Sequence, residues 1–466
     1  MKRTGSIPPQ NPQGSALVLS LIFIAVFSAL ATALAVISET SVQLADNLRR
    51  ADATRGCAES GLEVVRYWLS RVQMSGTIAP SDRFNYLANT FQGELSAAGI
   101  TNIVPVQSGS TLTMSDIPLK ADGSEKFSAV LTGIDANTVQ VDVTGYVTGS
   151  SGALQRRIRS NCRYFQRADT VFDYGVASKG PVSLSGNIEL EGVNIAVESN
   201  AYIECDSLLA LEIIGNSMIA GDVKIVNPLA YVHLQGGHAG VGGETGEAAL
   251  EHIDIGAPPT SFPEMNPSDF FHYANNELSA SADLSTNATY NNLRIPPNRN
   301  PHFSGNATLR GVIYVQSPNV VSFSGNVDVT AIIVTDGDPN DNSGTNRLTF
   351  TGNITGHAID QLPQEEQFQG LHEQTGTFIL APGFHLGFGG SFTTLCGAIA
   401  ANGIELWGNA GGTINGSIIN YSSAPITLSG NSDLHFNRSG LDQVPAGFVP
   451  RIIMQYNAST YTEPPA

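Results

Sequence analysis

Ser304-Gly-Asn-Ala-Thr-Leu-Arg-Gly-Val-Ile-Tyr-Val315 and Ser324-Gly-Asn-Val-Asp-Val-Thr-Ala-Ile-Ile-Val-Thr335 are two passes of one degenerate phrase. The same corner recurs at Ser185-Gly-Asn187, Ile214-Gly-Asn216, Thr351-Gly-Asn353, Trp407-Gly-Asn409 and Ser429-Gly-Asn431. Successive glycines in the closer groups lie 20, 27 and 22 residues apart (305 to 325, 325 to 352, 408 to 430). Short β-branched runs fill the intervals, among them Gly416-Ser-Ile-Ile-Asn420. Gly and Asn tolerate the φ > 0 of tight corners, and a period of this size with strand-forming content fits one coil of a parallel β-helix. A sandwich would place its hairpin turns about every 8–12 residues, half the spacing seen. Like residues at equivalent corners are then expected to stack into ladders.

The phrase breaks between Gly236 and Arg299, where Gly236-Gly-His-Ala-Gly-Val-Gly-Gly243 is followed by Pro258, Pro259, Pro263, Pro267 and Ile295-Pro-Pro-Asn298. Residues 236–299 are expected to form an insertion projecting from the solenoid, because long irregular loops inside compact folds are uncommon without a role.

Composition agrees with many short strands. Charged residues are 14% of the 466-residue chain, well under the roughly 25% of ordinary domains, and glycine reaches 48. The net charge is −18, from 23 basic and 41 acidic residues. Binding to nucleic acid needs a concentrated basic surface. The densest cluster here is Arg156-Arg157-Ile158-Arg159, read as a solvated strand end, so nucleic acid is not expected as a partner.

Ser15 to Ser38 runs without a charge, SALVLSLIFIAVFSALATALAVIS. About 20 apolar residues span a bilayer as a helix, and a secretory signal has a shorter core of roughly 7–15. A retained, single-pass membrane helix is therefore expected. Lys2 and Arg3 before it, against Glu39 and Asp46 after it, place the short N-terminus in the cytoplasm and the bulk outside. An apolar seam at helical spacing continues through Leu44, Leu48, Ala51, Ala58, Leu62, Val65, Leu69 and Val72, with Arg55 in the one missing place. One long helix from about 16 to 74 follows, half in lipid and half packed on a head.

The run Gly14-Ser15-Ala-Leu-Val-Leu19, the uncharged helix and Cys57-Ala-Glu-Ser-Gly-Leu-Glu-Val-Val-Arg-Tyr-Trp-Leu69 together resemble the N-terminal region of PilX-type minor pilins and pseudopilins. The resemblance covers roughly residues 10–75. It implies a prepilin peptidase cutting between Gly14 and Ser15, and other pilin-like subunits or assembly machinery as partners. Major pilins of this kind carry a Glu at the fifth mature position, and Leu19 stands there. The segment from Ile295 to Phe448 is similar to uncharacterised solenoid regions behind PilX-like N-termini, which implies no activity.

Between helix and repeats, Phe127-Ser-Ala-Val-Leu-Thr132, Val139-Gln-Val-Asp-Val-Thr-Gly-Tyr-Val147 and Gln155 to Phe165 alternate as half-buried strands do. The expected organisation is a mainly β chain: a leader (1–14), a transmembrane and extended helix (15–75), a small α/β pilin-like head (76–170), a right-handed parallel β-helix (171–450) and a tail (451–466).

Chemistry is sparse. No Gly-Lys dipeptide, Gly-x-Ser-x-Gly elbow or His-Glu-x-x-His motif occurs. His233, His238 and His252 are too loosely spaced for a metal triad. Asp328, Asp360 and Asp433 could share a solenoid face in a membrane-anchored lyase or hydrolase, the alternative to a structural subunit. Asp336-Gly-Asp338-Pro-Asn340-Asp341-Asn342 spaces oxygen ligands as Ca²⁺ requires, yet Arg347 holds the twelfth position where an EF-hand has Glu. Otherwise no cofactor is expected. Cys57, Cys162, Cys205 and Cys396 allow three pairings, with a Cys57–Cys162 bridge one candidate and four free or buried thiols the equal alternative.

Overall fold

The structure, a computed structural model, describes residues 13–149, 152–439 and 443–465. The chain divides into two compact units, residues 1–74 with 78–165 and 453–466, and residues 75–77 with 166–452.

The first unit is built on a helix from Gln13 to Arg71, about 88 Å long at 1.5 Å per residue. It runs unbroken through Ser38–Thr40, and Thr40 and Ser41 return their hydroxyls to the carbonyls of Val36 and Ile37. Leu17 to Leu48 are exposed, whereas Thr54, Cys57, Ala58, Leu62, Val65, Leu69 and Val72 are buried. Only the second half of the expected seam therefore meets protein. Arg55, the charge that interrupted it, points to solvent and pairs with Glu59 and Glu463.

The buried half lies on a seven-stranded sheet, whose central strands Thr111–Pro118, Glu125–Asp135, Thr138–Gly149 and Gly152–Arg167 pair antiparallel in sequence order. Helix Arg83–Ala97 joins this core through Phe84, Leu87, Phe91 and Leu95. The three alternating segments seen in the sequence are all strands. Where a tail is expected, Arg451–Thr462 is a further strand beside Gly152–Arg167, with Ile452 and Met454 buried and Thr460 Oγ1 accepting from Asn161 N at 2.8 Å. Its alternating Ile452-Ile-Met454 run has the period of a half-buried strand.

Two glycines set the helix-to-sheet distance. A Cβ on Gly145 would lie 2.3 Å from the Thr54 carbonyl oxygen and 2.5 Å from Ala58 N, and one on Gly61 would lie 2.5 Å from the Phe127 ring. Both the Gly145 neighbours are backbone and cannot swing away. Gly145→Ala should lower stability by about 1–3 kcal/mol, the usual cost of overpacking, read as a shift in the urea midpoint.

On the opposite face of this sheet the Asp142 carboxylate, 5% exposed, accepts from Arg157 Nε at 3.0 Å and Arg159 Nε at 2.8 Å. Arg157 and Arg159 are thus engaged by one carboxylate on the sheet, while Arg156 is exposed. Burial pushes the Asp142 carboxyl up, but hydrogen bonds from Arg159 and Arg157 outweigh it, and the net position is below the ordinary carboxylate value. A depressed folded pKa gives stability that is complete above the unfolded value of about 3.9 and is lost as pH falls through the folded one. An acid titration of near-ultraviolet circular dichroism should show this loss below about pH 4, and Asp142→Asn should remove the share of it that Asp142 contributes.

The second unit winds between two sheets of almost wholly parallel strands, one of fourteen and one of twelve. The chain alternates between them: Ala307–Val315, Val320–Phe323, Val327–Thr335 and Arg347–Phe350 belong in turn to the twelve-, fourteen-, twelve- and fourteen-stranded sheet. Apolar side chains from both fill the space between. The repeated glycines form one column. A Cβ on Gly325 would lie 2.3 Å from Gly305 O, one on Gly352 2.0 Å from Gly325 O, and one on Gly186 2.2 Å from Gly430 O. Beside it runs an asparagine ladder in which Asn306 N donates to Asn287 Oδ1 (3.0 Å), Asn326 N to Asn306 Oδ1 (3.0 Å) and Asn353 N to Asn326 Oδ1 (3.2 Å). The expected corner ladders are present. An internal stack of Phe303, Phe323, Phe350 and Phe388 accompanies them, with successive ring centroids 4.6, 5.0 and 5.6 Å apart.

The stacking order is not the sequence order. Val176–Ser178, Ala201–Ile203, Val223–Ile225 and Ile253–Ile255 stack away from the start of the unit. The chain then returns to the other end, and from Ala288–Ile295 winds back until Ile418–Asn420 pairs with Val176–Ser178. Ile426–Phe436 joins Val182–Gly192 in unbroken parallel register from Ile426↔Val182 to Phe436↔Gly192. The two halves close into one stack.

This route corrects the expected projecting insertion. Within 236–299, Gly240–Val241, Ile253–Ile255 and Ala288–Ile295 are strands of the sheets. The linking segment is a strap laid across the twelve-stranded sheet. Thr260 N donates to Tyr202 OH (2.8 Å), Tyr421 OH donates to Pro263 O (2.7 Å), and Phe271 meets Tyr314 edge-on at 5.3 Å. The prolines suit a strap because they need no ladder partner. Phe270, buried with Ala274 under this segment, holds it down.

Candidate functional site

The exposed half of the long helix is the first functional feature. None of its apolar run is buried, and among the described residues it is the one helix long and apolar enough to cross a membrane. Gly14 and Ser15 lie in its first turn. Leu19, at the place of the absent Glu, is exposed on its side. Lys2, Arg3 and most of the expected leader lie outside the described residues.

Cys57 and Cys162 are buried free thiols and are far apart. Cys57 Cβ lies 2.9 Å from a Cβ built on Gly145, whereas Cys162 is registered opposite Val139. Gly145 and Val139 are six residues apart on one strand (145 − 139), about 20 Å, against the roughly 4.4–6.8 Å between Cα atoms that a disulfide needs. The candidate bridge is ruled out by register. Burial pushes the Cys57 thiol up and the Cys162 thiol to about 11, which keeps both protonated at neutral pH.

The other candidates are dispersed. Asp328, on the twelve-stranded sheet, meets His357 Nε2 at 3.3 Å, while Asp433 lies on the fourteen-stranded sheet beside Glu189, and Asp360 sits in a short helix. His233 pairs with Glu212 and His252 with Asp222, on separate coils. In the acidic loop Asp336 accepts from Ser317 N (2.6 Å), Asp338 from Asn340 N (2.9 Å), and Asp341, not Asp336, binds Ser343 and Asn346. The Asp338 and Asp341 carboxylates are engaged in turn hydrogen bonds, and that of Asp336 is bonded to the preceding coil. Among the described residues no group of three or more His, Cys, Asp or Glu side chains converges on a metal position.

Asn340 and Asn342 instead overhang an open cleft of about 910 Å³, lined also by Lys179, Glu204, Asp206 and Tyr421. Lys179 Nζ stands 4.9 Å from the Phe262 ring centroid and 5.9 Å from that of Tyr421, and Tyr202 OH donates to Glu204 Oε2 at 2.7 Å. Sequence reading misses this cleft because its residues come from separate coils.

The bare apolar half of the helix falls within the region that the family comparison matches. A search of curated proteins finds no match. A solved structure, the competence-associated pilin ComZ from Thermus thermophilus, is 10% identical, covers 83% of this chain and 98% of its own, and superposes with a TM-score of 0.22, too low to carry a fold argument. Residues 13–63 match the family model described as PilX N-terminal, so the N-terminal region of this chain is PilX-like.

Proposed function

We propose that the chain is a non-enzymatic, single-pass envelope protein, a minor pilin or pseudopilin-like subunit that displays a β-solenoid for assembly or adhesion. The observation that carries this reading is the division of one helix into a wholly exposed apolar half and a half buried on a sheet. An exposed run of this length is unstable in water and stable in lipid or against like helices. In this reading residues 15–75 anchor the chain in the inner membrane, 76–170 with the last strand form a pilin-like head, and 171–450 form a right-handed parallel β-helix outside. Prepilin peptidase removes the leader after Gly14, and the freed helix joins other pilin-like subunits or their assembly machinery in a type IV pilus or type II secretion-like system. Leu19 lacks the carboxylate that would pair with a neighbour's new amino terminus, which suits a minor rather than a repeating position.

A glycoside hydrolase would need two carboxylates facing one bond, and Asp328 and Asp433 lie on different sheets. The test is fractionation of native cells followed by external protease on spheroplasts. The protein should stay in the alkaline-washed membrane pellet and lose its C-terminal bulk to the protease. Release into the soluble fraction, or full protection, would overturn the reading.

A further inference from the structure

On the outer face of the fourteen-stranded sheet, three successive coils build a groove of about 370 Å³ from Arg347, Thr349, His385, Gly387, Glu405 and Trp407. Register brings them together: Arg347 pairs with His385, Thr349 with Gly387, and Gly387 with Glu405. The indole of Trp407 leans across Gly387 and Gly389. A Cβ at Gly387 would lie 2.8 Å from the ring and one at Gly389 2.7 Å from its Nε1. The glycines therefore clear a seat that lets the ring lie flat on the sheet as a platform. Beside it, His385 Nε2 is buried and has no hydrogen-bond partner, with Glu405 Oε2 3.6 Å away. A buried polar atom without a hydrogen bond is unfavourable, so the groove holds an unmet capacity to bond.

The chemistry of the rim selects among ligands. An anion would gain from Arg347 but meet the Glu405 carboxylate. A cation would gain from Trp407 and Glu405 but meet Arg347. A neutral ring with one apolar C–H face and a rim of hydroxyls suits all of them, since the face covers the indole and the hydroxyls find donors and acceptors together. We propose that this groove is a binding subsite for a neutral saccharide unit. Burial, with the Arg347 charge adding to it, holds the His385 imidazole below its ordinary value, so at neutral pH the ring both donates and accepts. The proposal deepens the display reading, on which it rests only for the side of the membrane the groove faces.

The test uses the full chain in a detergent without a sugar headgroup, probed by saturation-transfer NMR. The probes are cellobiose, lactose and chitobiose, with inorganic phosphate and tetramethylammonium as competitors. At least one disaccharide should receive saturation on the C–H protons of one ring face. Trp407→Ala should weaken that binding at least tenfold, Trp407→Phe should retain part of it, and Glu405→Gln should weaken it several-fold, all with unchanged circular dichroism melting. Excess phosphate and tetramethylammonium should not displace the sugar. No transfer to any of the three disaccharides, equal binding by Trp407→Ala, or displacement by either ion would overturn the proposal. The spheroplast experiment reports on display separately, so a protected C-terminus with intact sugar binding sinks that reading and leaves the groove.

Discussion

Replacing Asn420 by Ala should open the seam at which the two halves of the stack meet. Asn420 is fully buried, and its Nδ2 donates to Ser178 Oγ, Ser422 O and Ala424 O. Its Oδ1 accepts from Gly403 N at 2.8 Å and Ser422 N at 3.1 Å. Truncation strands two backbone donors and two carbonyl acceptors in the interior of the fold, while Ser178 Oγ keeps its bonds to Gly180. At about 1–3 kcal/mol for each buried group left unsatisfied, and with some recovered by relaxation, the expected loss is about 4 kcal/mol, or about a thousandfold at 1.4 kcal/mol per decade. Hydrogen exchange reads it directly. The amides of Gly403 and Ser422 should lose about three decades of protection, while those of the Thr138–Gly149 strand stay unchanged. Equal protection in the variant would show that this side chain does not secure the closure.

Phe350→Ala should be comparably severe. The Phe350 ring lies between Phe323 (5.0 Å, 5° between planes) and Phe388 (5.6 Å, 13°), 1% exposed. Removing it leaves a ring-sized void in the core, for which about 3–5 kcal/mol is usual, and breaks two stacked pairs worth roughly 0.5–1.5 kcal/mol each. The thermal midpoint of the variant should fall, and Phe350→Leu should recover most of the loss by refilling the volume. If Phe350→Ala melts with the parent chain, the phenylalanine stack is not a structural element. The effect should stay local to neighbouring coils, since stacked repeats couple mainly to their nearest neighbours.

Which parts of this molecule can be read from sequence follows from the range of the interactions involved. The Ser-Gly-Asn corners are local: a glycine at which any Cβ would fall 2.0–2.3 Å from a neighbour's carbonyl oxygen and an asparagine that caps the next coil's amide leave a fixed three-residue signature. The helix is equally local, an uncharged run followed by apolar residues at steps of three and four. The phenylalanine column had a signal too, since Phe303, Phe323 and Phe350 each stand two residues before a corner glycine. Stacking order left no such mark. A coil looks the same whichever coil lies above it, so nothing in Val182–Gly192 announces Ile426–Phe436 as its neighbour, and the prolines of the returning strap read as a projecting loop. The Cys57–Cys162 pairing failed for the related reason that sequence does not supply register. Trp407 and His385 lie 22 residues apart (407 − 385) and meet only because the sheet aligns two coils.

The measurement closest to the central reading, a pilin-type membrane subunit, is the intact mass and N-terminal sequence of the protein taken from native membranes. A mature chain beginning at Ser15 is the expected result, and it would put the protein in the prepilin-processing pathway. A chain beginning at Met1, or one cut near Ser38 with the apolar helix removed, would contradict it.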